Sequence, residues 1–164
     1  MNEPRWVMAT VDLDRFRAMR GEHERALAEI RSGRKRSHWM WYVFPQIVGL
    51  GFSGTARRYG ITSVDEASAY LDDPELGPDY AEMVEAVWQQ VVAGDVTVHD
   101  LFGSPDDSKL VSSLTLFAGV ARARHPELSK LIAGADGILA ATHAHGLAPC
   151  HTTLEFLETE SDAS

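Results

Sequence analysis

Pro78–Ala93, PDYAEMVEAVWQQVVA, decides the fold class. Its apolar residues Tyr80, Met83, Val84, Val87, Trp88 and Val91 recur at i, i+3, i+4, i+7, i+8 and i+11, one stripe with a 3.6-residue period. Pro78 near the first turn and Gly94 just past the last residue supply the start and stop signals of a helix. Upstream, Ser63-Val64-Asp65-Glu66 is a capping box, in which hydroxyl and carboxylate satisfy orphan amides reciprocally. It predicts a helix through Leu71 that ends before Pro74. Downstream, Thr97–Phe102 makes a turn or two closed by Gly103. Ser104-Pro105-Asp106-Asp107 then offers a cap, a proline at the first helical position and acids in the first turn. The helix it opens should reach about Arg122 and bury Leu110, Leu114, Phe117 and Ala121.

The ends of the chain follow the same pattern. Residues 1–11 read as a loose lead-in with Trp6 as an anchor, and Asp12 as the cap of a short helix carrying Leu13, Phe16 and Met19. After Gly21, Glu22–Ser32 resumes with Ala26, Leu27 and Ile30 inward, and Gly33 stops it. Ser37–Phe44 has the aromatics and valine of a strand but a serine cap and the stop Pro45. A short helix is favoured, because almost nothing else in the chain alternates with period two. Gln46–Ser53 is a glycine-rich loop and Thr55–Tyr59 a short helix. Beyond His125-Pro126, two short helices are expected, Glu127–Ala133 ended by Gly134 and Asp136–His145 ended by Gly146. Thr152–Leu157 is a last amphipathic piece, with 158–164 loose. The prediction is all-α: a single compact orthogonal domain over 1–164 with about seven to nine helices.

The bulk numbers exclude several classes. A chain of 164 residues can bury a core without disulfides, and Cys150 is its only cysteine, which favours a reducing, cytoplasmic setting. The first ten residues lack the apolar stretch of a secretory signal, and no run approaches the roughly 18 apolar residues of a membrane span. With a net charge of −9, a large nucleic-acid interface is disfavoured.

Charge is nevertheless segregated. Residues 31–60 hold six Lys and Arg and no acid, leaving −15 on the remainder against −9 overall, and they hold 6 of the 14 aromatics. A positive, aromatic stretch in an acidic chain is where an anion would be held. The candidates for ligand binding are Arg34, Trp39, Trp41, Gln46, Arg57 and Arg58, with Lys109 and Ser113 from the polar flank of the Ser104 helix. His38 and Asp107 are the candidates for proton transfer. Each has a plainer reading. Arg34-Lys35-Arg36 complements a helix end in solvent, Arg57 and Arg58 pair with acids, His38 is half-buried, the tryptophans are core, and the serines face water. Gly49-Leu50-Gly51-Phe52-Ser53-Gly54 matches G-x-G-x-x-G, but Pro45 precedes it, the following helix is about five residues, and Asp72 ends a helix, so a dinucleotide site does not fit. His143, His145, Cys150 and His151 match no standard zinc spacing. No metal or cofactor is expected.

The strings AEIRSGRKRSHWMWYVFPQIVGLGFSGTARRYGI, Ser63–Leu71, Pro74-Glu75-Leu76-Gly77-Pro78 and LFGSPDDSKLVSSLTLF closely resemble a bacterial family, domain of unknown function 1810, sometimes labelled calpastatin. The resemblance covers about residues 12–120 and implies a compact, almost wholly helical domain without naming an activity. A calpain inhibitor should be disordered, which this chain is not. Gly54 departs from the family pattern, and 121–151 is longer and richer in Ala and His than its usual counterpart. Thr153–Leu157 resembles the family's final helix. The functional expectation is an anionic small molecule (nucleotide, ADP-ribose type or phosphate ester), bound and, if there is chemistry, hydrolysed. The alternative is a protein-interaction module that docks an acidic partner through the same stretch.

Overall fold

The computed structural model describes residues 12–163, with side chains to Glu160, and among them the regular elements are helices. In chain order they are α1 (Asp14–Arg17), a 3₁₀ turn (Arg20–Glu22), α2 (His23–Arg31), α3 (Met40–Val43), α4 (Gly54–Arg58) and α5 (Val64–Asp72). Then come α6 (Leu76–Trp88) with a π turn (Gln89–Ala93), α7 (Val98–Phe102), α8 (Asp106–Arg124), α9 (Ser129–Ala144) and α10 (His151–Ala163). A single parallel bridge, Ile47 to Ile61, ties the glycine loop to the chain after α4, with Val48 N–H on the Ile61 carbonyl and Ile61 N–H on the Gln46 carbonyl, both 2.9 Å. No helix of the described residues is long and apolar enough to cross a membrane. The loose lead-in and Trp6 lie outside the described residues.

α8 is the axis of the molecule. α5, α9 and α10 pack on it, while α6 packs on α2, α5 and α9. Leu110, Leu114, Phe117 and Ala121 are buried as expected, but so are Val111, Ser112, Ser113, Leu116, Ala118 and Val120. Between Leu110 and Ala121 the helix is covered on most sides, so Ser112 and Ser113 do not face water. Ser113 shares a buried 2.9 Å hydrogen bond with the Tyr80 hydroxyl, and Ser112 turns back to the Ser108 carbonyl. Around α8, Phe117 meets Tyr80 and Tyr70 with ring centroids 4.5 and 5.2 Å apart, and Tyr70 meets Phe16 edge-on.

Several local readings are corrected. Ser104 does not cap α8; Pro105 occupies that position without a side-chain cap. Asp12 does not cap α1, which starts from Leu13. Ser63 does cap α5 (Glu66 N–H to Oγ, 3.0 Å), but Glu66 reaches back to the amide of Thr62 and not to that of Ser63, and also takes Arg15 at 3.0 Å. The two short helices expected after Pro126 are one, α9, running through Gly134 and Gly137. These glycines are there for proximity: a Cβ on Gly134 would lie 3.3 Å from Val84 Cγ1, and one on Gly137 would lie 3.2 Å from Trp88 Nε1. A glycine inside a helix costs propensity, and here it lets α9 approach the stripe face of α6. α10 runs on to Ala163 past the expected stop at Leu157, and Glu160 accepts the Val64 amide at 2.9 Å.

Candidate functional site

The segment after α2 is folded around one carboxylate. Glu29, 8 % exposed near the end of α2, accepts from the Arg36 amide (2.7 Å), the Ser37 amide (2.9 Å), the Ser37 hydroxyl (2.5 Å) and the Trp39 indole (2.9 Å). Burial by itself would raise its pKa, but these donors outweigh burial and bring it down to about 2. The consequence for the site is direct. Trp39 is drawn fully inside, where its ring packs with Phe44 and Phe102. It is core and can stack on no ligand. Ser113, wholly buried beside Tyr80, is likewise removed from the face.

Lys35 leaves the same turn inward. Its side chain is 7 % exposed, and its ammonium donates to the Ser37 carbonyl, pairs with Asp106 at 2.8 Å and lies 5.0 Å from the Trp39 ring centre. The expectation of a solvated basic triplet therefore fails at its middle member. Asp106, at the first position of α8, is shared: Lys109 approaches its other oxygen at 3.6 Å. The Lys109 ammonium also stands 5.2 Å over the ring of Trp41, which is only half-buried. Trp41, Gln46, Ala56, Tyr59, Gly60 and Lys109 frame a shallow surface dimple of about 10 Å³. One carboxylate between two ammonium groups leaves this cluster net positive.

On the other side of Lys35 is a groove of about 270 Å³ bordered by Arg34, His99, Asp100 and Gly103. His99 is 68 % exposed at its side chain, and its Nδ1 donates to Asp107 at 3.0 Å. Asp107 is 5 % exposed and its second oxygen takes the Ser108 amide at 2.7 Å. The sequence named His38 beside Asp107 as a candidate for proton transfer, but His38 is exposed on the α3 approach, and the contact it makes among the described residues is through its carbonyl, to the Tyr42 hydroxyl at 2.9 Å. His99, eight residues before Asp107 and on another helix, was missed. Its one local signal was a place in a short Thr97-capped helix that closes at Gly103, where Gly103 has φ +74° and turns the chain back.

Arg57 and Arg58 are exposed on α4, whose Ala56 borders the Trp41 hollow. Arg58 lies 5.6 Å from the Tyr59 ring centre. Among the described residues none of Arg34, Arg36, Arg57 and Arg58 has a carboxylate within ion-pair distance: the exposed Arg34 and Arg36 fit the reading of a solvated helix end, and the acids expected to pair with Arg57 and Arg58 are not found among these residues. The glycine loop itself opens onto a helix of one turn, whose Ala56 amide is already taken by Ser53 Oγ at 3.0 Å. Trp41, Gln46 and Lys109 thus share one hollow and Arg34 borders another groove, with the Lys35–Asp106 pair between Arg34 and Lys109 and Asp107 holding His99, while Trp39 and Ser113 are buried and His38 lines neither.

Elsewhere, a larger hollow of about 690 Å³ lies between α6 and α9. Its charges close on one another: Arg31 to Glu82 and Lys130 to Glu85, both 3.9 Å, and His23 to Glu82, 2.8 Å. Near the C-terminus, His143 and His145 each bond a local carbonyl through Nδ1 at 2.8 Å. Among the described residues no group of three or more His, Cys, Asp or Glu is arranged to hold a metal.

Over residues 10–137 the chain matches the family described as Protein of unknown function (DUF1810), and it belongs to that family. Among solved structures it is similar to the conserved hypothetical protein Rv1873 from Mycobacterium tuberculosis, with 41 % identity and a TM-score of 0.66 over 84 % of this chain and 98 % of that one. No curated protein matches.

Proposed function

We propose that this protein binds an anionic small molecule, a phosphate ester or nucleotide, on the face formed by the Arg34–Tyr59 stretch and the first turns of α8. The observation that carries the reading is the sharing of Asp106 by Lys35 and Lys109, with Lys109 standing over the half-buried Trp41 ring. A carboxylate already committed to two ammonium groups leaves one positive charge for a ligand, and the ring offers a flat apolar surface next to it. Gln46 supplies amide donors and acceptors at the rim of the hollow, and Arg57 and Arg58, exposed and with no carboxylate within ion-pair distance among the described residues, can fork onto phosphate oxygens. The reading keeps the cytoplasmic setting that the single cysteine favours.

Thermal unfolding against a panel of nucleotides, sugar phosphates and carboxylates tests it. A ligand at about 100 times its dissociation constant adds roughly 2.7 kcal/mol to stability. Lys109→Ala should remove most of that gain, while Arg122→Ala, which breaks an exposed pair with Asp136, should leave it intact. Absence of any shift across the panel would sink the reading. A second reading, docking of an acidic protein, is favoured by one observation: Phe52 in the glycine loop, a few residues before Arg57 and Arg58 in the chain, is 82 % exposed.

A further inference from the structure

We infer that His99 is a phosphoryl acceptor, with its Nε2 as the nucleophile, Asp107 as its positioning residue and Arg34 as the counter-charge for the phosphoryl oxygens. The inference rests on the reading of this face as anion-accepting and gives it a reaction. A carboxylate can only accept, so the proton between Asp107 Oδ2 and His99 Nδ1 belongs to the imidazole. That fixes the tautomer and leaves Nε2 with a bare lone pair, which has no partner among the described residues. The ring is 68 % exposed, while its partner carboxylate is 8 % exposed at the side chain. A buried acid that orients an open imidazole is the arrangement of an activated nucleophile. A water-excluded pocket, which general-base hydrolysis would call for, is not what surrounds it.

In the reaction, Nε2 attacks phosphorus of a phosphoramidate or acyl phosphate. An N–P bond forms as the donor's P–N or P–O bond breaks, and the electron pair leaves with ammonia or the carboxylate. The phosphorylated ring, still protonated at Nδ1, is cationic, and Asp107 neutralises it where it stands. Arg34 borders the groove with no carboxylate within ion-pair distance among the described residues, whereas Lys35 is committed to Asp106. Asp100 also borders the groove, and its charge opposes the incoming anion.

The protein carries its own controls. His143 and His145 are exposed and also bond through Nδ1, but to carbonyl oxygens, so they share the tautomer and lack the carboxylate. The full chain is incubated with potassium phosphoramidate, and acid-labile phosphate is followed at each histidine by peptide mass spectrometry. His99 should label about tenfold faster than His143 and His145, the size of one charge-assisted hydrogen bond. Asp107→Asn should bring it down to their rate while theirs stays constant. Should Asp107→Asn fail to fold, Arg34→Ala, an exposed change, should slow His99 alone. Equal rates at the three histidines, or a fast His99 that survives either variant in folded protein, overturn the inference. A ligand-induced thermal shift with no preferential label rejects the acceptor role and leaves the binding reading standing. A label without any shift rejects reversible binding and leaves the acceptor.

Discussion

Replacing Glu29 by Gln should cost about 3 kcal/mol of stability at neutral pH, because four donors converge on a buried carboxylate and an amide would turn a donor toward some of them. Chemical denaturation of the two proteins measures it. The pH dependence gives the sign. Glu29 has a folded pKa depressed to about 2 from an ordinary 4.5, so the unfolded chain binds its proton first as pH falls. Its contribution is fully present above about pH 5 and is lost as the pH drops toward 2. The gap between wild type and Glu29→Gln should therefore narrow across that window. Asp73 works in the same direction: burial raises its pKa, and the amides of Leu76 and Glu75 together with Arg17 outweigh burial and lower it. A gap that stays constant between pH 7 and pH 3 would mean that the carboxylate does not organise the turn.

Gly77→Ala should be comparably damaging, about 3 kcal/mol, for an unrelated reason. A Cβ at this second position of α6 would lie 2.2 Å from the Leu71 carbonyl oxygen. That oxygen is backbone at the end of α5 and cannot rotate away as a side chain would. The turn between the helices is already fixed, since Asp73 Oδ1 accepts the amides of Glu75 and Leu76 at 2.9 Å each and Gly77 N–H bonds the Asp73 carbonyl at 3.1 Å. Separation of α5 from α6 would disturb Tyr70 and Tyr80, whose rings meet edge-on at 6.1 Å. Thermal unfolding of Gly77→Ala beside Gly54→Ala, where a Cβ meets nothing within 4 Å, checks it. Equal melting temperatures would contradict the clash.

What could be read in advance follows from the range of the interactions. The stripe from Tyr80 to Val91 and the Ser63 cap are local, with every partner within a few residues, and they named α5 and α6. Gly134 and Gly137 misled because a glycine that ends a helix and one that admits a neighbour have the same letter. Only the approach of Val84 and Trp88, some fifty residues away, tells them apart. The site divides in the same manner. Charge segregation could be read directly and singled out the face proposed here, since it is a property of composition. Which indole stays outside was not legible, because Trp39 is taken in by Glu29 from a different helix while Trp41 has no such partner among the described residues. The pairing of Asp107 with His99 depends on how α7 meets α8, and neither residue carries that in its neighbours.

The central claim is that the two tryptophans of one turn have opposite fates, Trp39 sealed on Glu29 and Trp41 offered to a ligand beside Lys109. Nitrogen–proton correlation spectra of labelled protein titrated with ADP test this directly. The account predicts that the Trp41 indole N–H and the Lys109 and Arg57 amides shift with a common saturation curve, while the Trp39 indole N–H stays where it was. Shifts confined to α9 and α10, or a Trp39 signal that moves while Trp41 stays still, would contradict it.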